Sequence, residues 1–195
     1  MFENKKIDIL VPCFNEQENL EELYSRLTKV LLEIKIKFNI IFIDDGSKDK
    51  TWDKIKLFSK NNELIKGIKL SKNFGHQYAL KAGIDLANAD YVLSLDADLQ
   101  DPPELLKEML NKIQSEKVNI IYAQRNKNNE NFIKKFSSYV FYRFINKVSK
   151  INIQQQVSDF RLIDKKVLSE LKKIDERDIF YRGLVPWMGF KYANV

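Results

Sequence analysis

Between Ile7 and Ala123 the sequence alternates short apolar runs with stretches whose apolar residues recur at helical spacing. Ile7 to Val11 reads as a buried strand stopped by Pro12. Phe38 to Ile43 is nearly all apolar, as a strand covered on both faces would be. Ile65 to Leu70, Tyr91 to Leu95 and Asn119 to Ala123 read as further strands. Between them, Leu20, Leu23, Leu27, Leu31 and Ile34 mark one helix, Thr51 to Phe58 a second and Gly75 to Ala87 a third. A fourth carries Leu106, Met109, Leu110 and Ile113 as its apolar stripe. Asn15 is the expected N-cap of the first helix, with Glu16 and Glu18 in its first turn. Asp101 is the expected cap of the fourth, with Pro102 just inside it. This alternation predicts an α/β chain with a mainly parallel sheet and helices on both faces. The four prolines are expected at element boundaries, and no internal domain boundary is visible.

Ligands of such sheets bind at the carboxyl ends of the strands. Polar residues gather there: Asn15-Glu16, Asp44-Asp45, Asn73, Asp96 and Asp98, and Gln124-Arg125. Five loops are thus expected to converge on one crevice. Composition narrows its chemistry. A single cysteine, Cys13, excludes an internal disulfide framework and a cysteine-based zinc site. The single histidine, His76, excludes a histidine-cluster metal site and is expected to serve a structural role. The net charge of +6 favours acidic partners such as phosphates or an anionic membrane surface. Nucleic acid is disfavoured because no nucleic-acid-binding motif is present. Neither a GxGxxG dinucleotide loop nor a GxxxxGK[ST] phosphate loop occurs. The N-terminus has no signal-peptide pattern and no apolar run reaches membrane-spanning length, so a cytoplasmic location is expected.

Asp96-Ala97-Asp98 is the strongest local signal. Two carboxylates at a strand end suit Mg²⁺ or Mn²⁺, with donor phosphates completing the shell, and Gln100 adds a neutral oxygen. The same pattern also serves as an ordinary loop before a helix. Asp44-Asp45-Gly46-Ser47 can offer a carboxylate to a nucleobase or ribose, or can simply be a turn. Arg125 can bind phosphate through its planar fork or remain a surface arginine. Asp159-Phe160-Arg161 lies in an expected strand from Val157 to Ile163. It can place one acid in the crevice or leave both charges in solvent. A short helix from Lys165 to Leu171 and a last edge strand within Gly189 to Val195 are expected to follow. Phe132 to Lys150 combines six aromatics and five basic residues with no acid. It can approach an anionic bilayer with its cations snorkelling, or pack as a core helix.

Three segments together resemble the family-two glycosyltransferases: Val11-Pro12-Cys13-Phe14-Asn15-Glu16, Ile43-Asp44-Asp45-Gly46-Ser47, and Asp96-Ala97-Asp98-Leu99-Gln100-Asp101-Pro102-Pro103. Ser71 to Gln77, Ser158 to Leu162 and Arg182 to Phe190 are similar to the polyprenyl-phosphate branch. That branch includes dolichol-phosphate mannose synthase and the bacterial polyprenyl-phosphate glucosyltransferases, and the bacterial members match more closely. The resemblance implies a glycosyltransferase A fold, a Rossmann-like mainly parallel sheet, with one catalytic domain over residues 1–195. It implies that Pro12, Phe14, Glu16, Ile43 and Asp45 line a nucleoside pocket. Asp96 and Ala97 would touch the donor, and Asp98 and Gln100, with Asp96 beside them, would hold Mg²⁺ or Mn²⁺. Arg125 would reach the sugar or the phosphates, and Asp159 would face the acceptor. Position 14 is often tyrosine in these families, so Phe14 keeps the stacking face and lacks the hydroxyl. Members usually continue into a basic loop and two membrane-spanning helices, which this chain is expected to lack.

The expected reaction is metal-dependent inverting transfer from a nucleotide sugar, UDP-glucose in the first instance, to a polyprenyl phosphate. Its expected site is the cytoplasmic face of the membrane, with the chain bound peripherally and homo-oligomerisation left open. Two other readings compete. A sugar nucleotidyltransferase would need a glycine-rich loop after its first strand, where Pro12-Cys13-Phe14-Asn15 stands instead. A non-catalytic membrane-binding remnant would lack metal-dependent nucleotide binding.

Overall fold

The computed structural model describes residues 2, 4–124, 157–175 and 180–195. The first part of the chain runs β1 (Lys6–Cys13), α1 (Leu20–Ile34), β2 (Lys37–Asp44), α2 (Thr51–Asn61), β3 (Ile65–Lys69), α3 (His76–Leu86) and β4 (Tyr91–Ser94). A 3-10 turn (Pro103–Leu105), α4 (Leu106–Ser115) and β5 (Ile120–Gln124) come next. After them are β6 (Val157–Asp164), α5 (Lys165–Leu171), α6 (Tyr181–Trp187) and β7 (Tyr192–Asn194).

The strands form one seven-stranded sheet in the order β3-β2-β1-β4-β6-β5-β7. β1 pairs in parallel with β2 and β4, and β2 with β3, in keeping with the crossover helices between them. Strand alternation sends successive side chains to opposite layers. Ile7, Ile9 and Val11 of β1 and Phe38, Ile40 and Phe42 of β2 pack beneath Leu20, Leu23, Leu27, Ile55 and Met109 of α1, α2 and α4. Leu10, Ile41 and Ile43 face the other layer, with Ala79, Leu80, Val167, Leu171 and Tyr181 of α3, α5 and α6. Helices on both faces are therefore observed. Asp8 is a buried exception, and its carboxylate accepts from Asn39 Nδ2 at 2.7 Å and from the Asn88 amide at 2.7 Å.

The sheet is mainly parallel, as expected, with one reversed strand, and the structure departs from the sequence-based expectation at Asn15, Asp101, Pro186 and Pro12. β6 runs antiparallel between β4 and β5, so the first and second halves of the sheet are joined by a reversed strand. Asn15 does not cap α1. It has φ +57°, which asparagine tolerates, its side-chain oxygen accepts from the Lys48 amide, and Asn19 holds the cap position. Pro102, not Asp101, stands at the cap position of the 3-10 turn, where a residue without an N–H leaves no donor unpaired. Pro186 lies within the last turn of α6 and not at a boundary. Pro12 is the penultimate residue of β1, an inner strand, and needs a different account. The last β1–β4 pair is Leu10 with Ser94, so Pro12 faces that side beyond the ladder and costs no hydrogen bond.

Candidate active site

The loops after β1 and β2 are laced together by their own polar groups. The Asn15 amide donates to Ser47 Oγ at 2.9 Å, the Glu16 amide to Thr51 Oγ1 at 2.8 Å, and the Gln17 amide to Asp49 Oδ2 at 3.1 Å. These bonds satisfy amides that the loop would otherwise leave unpaired. Asp45, at the end of β2, is almost fully buried. Its two oxygens accept from the Phe74 and Gly75 amides, each at 2.8 Å. The carboxylate expected at the nucleoside therefore also fixes the start of α3. Gly46 lets this happen: its φ is +70°, and a Cβ there would lie 2.4 Å from the Lys72 carbonyl carbon.

A cavity of about 280 Å³ opens above these strand ends. Pro12, Phe14 and Glu16 line it from the first loop, Asp45 from the second, and Asp96, Ala97 and Asp98 from the third. Phe14 is 41% exposed and offers a ring face. Ile43 is fully buried in the layer beneath α3 and is not part of the wall. Cys13, Asn73, Gly75, His76 and Ala79 complete the lining. Of these, Asn73 was legible as a strand-end polar residue, whereas His76 was assigned only a structural role. Cys13 is a buried filler whose thiol pKa is pushed well above its ordinary value, chiefly by burial.

Asp96 and Asp98 share one end of the cavity. Burial, the largest effect, and the carboxylates of Asp159, Asp101 and Asp98 raise the Asp96 pKa, against the pull of His76. Asp98 Oδ1 accepts from the Gln100 amide at 3.0 Å across Leu99, which has φ +62°. Gln100 itself is exposed and is not part of the wall. Among the described residues, no group of three His, Cys, Asp or Glu side chains could hold a metal ion. A cation that keeps one or two carboxylates and takes its remaining oxygens from substrate phosphates does not need such a group. Two hard carboxylates, one disfavoured as an anion by its surroundings, fit that kind of ion.

Asp159 of β6 lies behind the His76 side of the wall and is 2% exposed. Ser94 Oγ donates to its carbonyl at 2.6 Å, tying β6 to β4. Its carboxylate accepts from Arg161 Nη2 and, through Oδ2, from Arg182 Nε at 3.0 Å and Nη2 at 2.7 Å. Burial pushes the Asp159 pKa up, but His76, Arg161 and Arg182 overcome it and hold the carboxyl well below its usual range. Asp159 and Arg161 are thus buried partners, not solvated charges. His76, part of the wall, stands between Asp96 and Asp159, with Nδ1 3.7 Å from Asp96 Oδ1 and Nε2 3.4 Å from Asp159 Oδ2. Burial lowers the imidazole pKa, and the flanking carboxylates more than offset it, so that it lies above its ordinary value. Arg125 and the basic aromatic segment Phe132 to Lys150 lie outside the described residues. Among the described residues no helix is long and apolar enough to cross a membrane.

The model of the family "Glycosyl transferase family 2" matches residues 8–172. An uncharacterised glycosyltransferase of Synechocystis is 42% identical over 191 residues, covering 97% of this chain and 60% of the relative. A bactoprenol glucosyl transferase of Shigella phage SfV is 34% identical over 185 residues, covering 94% of this chain and 60% of the relative. The chain thus spans about 60% of the length of these curated relatives. A mannosyltransferase from Pyrobaculum calidifontis, solved in complex with GDP-Man and Mn²⁺, superposes with a TM-score of 0.69 at 14% identity. The match covers 98% of this chain and 55% of that one, and the shared architecture is the glycosyltransferase A fold.

Proposed function

Because this chain belongs to glycosyl transferase family 2, we propose that it transfers a sugar from a nucleotide sugar to a polyprenyl phosphate with inversion at the anomeric carbon. The observation that carries this reading is the polarity of one cavity. An acidic wall of Asp96 and Asp98 suits a metal-bound diphosphate, and His76 in the same wall links Asp96 to the guanidinium-clamped Asp159 behind it. The bactoprenol glucosyl transferase relatives support the acceptor class and favour glucose, and UDP-glucose is the proposed donor.

In this reaction an acceptor phosphate oxygen forms the bond to the anomeric carbon. The bond to the donor diphosphate breaks, and the nucleoside diphosphate leaves. Pro12, Phe14, Glu16 and Asp45 would hold the nucleoside, with Ile43 supporting them from below. Mg²⁺ or Mn²⁺ held by Asp96 and Asp98 would supply charge neutralisation for the departing diphosphate. Arg125 would reach the same phosphates. No general base is required, because a phosphate monoester with a second pKa near ~6 is mostly a dianion at neutral pH. Asp159, held well below the usual carboxyl range, is a weak base and acts by orientation. An acceptor with an isoprenoid tail would put the reaction at a membrane, in our reading its cytoplasmic face, where the basic aromatic segment 132–150 would meet anionic lipid.

The test is a panel of nucleotide sugars with a short polyprenyl phosphate and Mg²⁺, scored by radiolabel partition into organic solvent. Label from UDP-glucose should enter the organic phase. No transfer from any donor, together with no metal-dependent UDP binding by calorimetry, would overturn the reading in favour of a non-catalytic remnant.

A further inference from the structure

We propose that Leu99 is the positioning residue of Asp98: its side chain anchors the loop after β4 in the core, and its left-handed backbone makes the turn that presents the Asp98 carboxylate to the cavity. The assignment rests on the metal-assisted transfer above and names the device that holds its acid in place. Among the described residues, four other than glycine have positive φ: Asn15, Lys35, Leu99 and Lys117. Asparagine tolerates that region. Lys35 is the C-cap of α1, and Lys117 follows the C-cap of α4, where chains commonly turn left-handed. Leu99, at +62°, has neither reason. A bulky apolar residue in this conformation is an outlier that only its surroundings can maintain.

The surroundings are those of the core. β4 ends at Ser94, but its alternation runs on to Leu99. Leu95 and Ala97 are buried in the layer of α1 and α4, and Leu99 packs against that layer half-buried. Asp96 and Asp98 alternate with them and line the cavity. Leu99 is the last apolar anchor of the run, and the next residue, Gln100, is exposed. The chain reverses at the anchor, which brings the Gln100 amide back to Asp98 Oδ1 at 3.0 Å. That bond orients the carboxylate before a cation arrives, so binding costs less ordering. Glycine would adopt the same backbone at lower cost. What leucine adds is the anchor, which keeps the turn at this residue and the carboxylate on the cavity side.

The test compares Leu99→Gly, Leu99→Asn and Leu99→Met with the wild-type chain. Gly and Asn accept the backbone and lack the anchor, whereas Met keeps the apolar reach. Calorimetry titrates Mn²⁺ into each protein with UDP present, and amide hydrogen exchange is followed without metal. The Gly and Asn variants should bind Mn²⁺ at least ~10-fold more weakly, as when the support of a metal ligand is removed. The Met variant, which conserves volume, should stay within about three-fold. In the metal-free Gly and Asn variants the Gln100 amide should exchange at least ~10-fold faster. The Phe74 and Gly75 amides, held by Asp45, should keep their wild-type rates. Wild-type Mn²⁺ affinity or wild-type Gln100 exchange in the Gly and Asn variants overturns the assignment. Faster exchange at Phe74 and Gly75 also overturns it, because it marks general loosening, and so does a Met variant as weak as Gly. Absence of Mn²⁺ binding by the wild type overturns the metal reading instead, and the exchange rates still judge the turn.

Discussion

Gly46 and Gly189 have nearly the same backbone conformation, with φ of +70° and +72°, but different surroundings. An alanine Cβ at Gly189 would meet nothing within 4 Å. At Gly46 it would lie 2.4 Å from the Lys72 carbonyl carbon, 2.7 Å from the Asn73 nitrogen and 2.8 Å from Lys72 Cα. All three are backbone atoms, so no rotamer change relieves the collision. Gly189→Ala should cost about 1 kcal/mol, the expense of a left-handed alanine. Gly46→Ala carries that cost and must also displace a strand exit, for a total of about 3 kcal/mol or more. In a chain of this size each kcal/mol moves Tm by about 2–4 °C, so thermal unfolding should separate the variants by roughly 4–8 °C. The damage at Gly46 reaches the site, because the adjacent Asp45 holds the Phe74 and Gly75 amides. UDP binding should therefore weaken in Gly46→Ala and hold in Gly189→Ala. Equal Tm losses for the two would refute the steric account, since only the neighbours differ.

Asp98→Asn should lower kcat at least ~100-fold at saturating Mg²⁺ while leaving Tm in place, because it removes ligand charge from a solvent-facing loop. Near-normal turnover would remove Asp98 from the metal site. Asp159 should shape acid stability. Burial alone would raise its pKa, but His76, Arg161 and Arg182 depress it, so its contribution is complete above the unfolded value of about 4 and fades as pH falls towards the native value. Tm measured from pH 5 downwards should fall more steeply for the wild type than for Asp159→Asn. The variant starts about 3 kcal/mol lower because Arg161 loses its buried partner. Parallel slopes would count against this.

The strands were legible where burial dictates composition. Ile7 to Val11 and Phe38 to Ile43 are apolar because both faces are covered, and such runs can be read locally. Strand direction cannot be read that way. The apolar pattern of β6 is the same whichever way it runs, so its antiparallel insertion was invisible. Asn15 and Asp101 were misassigned because a residue suited to capping is equally suited to a turn, and the neighbouring loop decides. Asp45, Asp96 and Asp98 were legible as strand-end acids. The Asp159 cluster was not, because its partners His76 and Arg182 come from α3 and α6, far along the chain. A short Asp-Phe-Arg sequence carries no sign that both charges will be buried.

The reversed strand at the middle of the sheet also sets an order of assembly. During synthesis β1 to β4 emerge as neighbours that can pair at once, since each joins a strand already made. β5 emerges next but has no place beside β4, because β6 must lie between them. Until residues 157–164 leave the ribosome, β4 is an open edge of the kind that invites pairing with another chain. The cavity, whose lining runs from Pro12 to Asp98, can thus form early, whereas Asp159 arrives with the strand that closes the edge. A chain cut short before β6 would carry the acidic wall and an unprotected edge, and would lack Asp159.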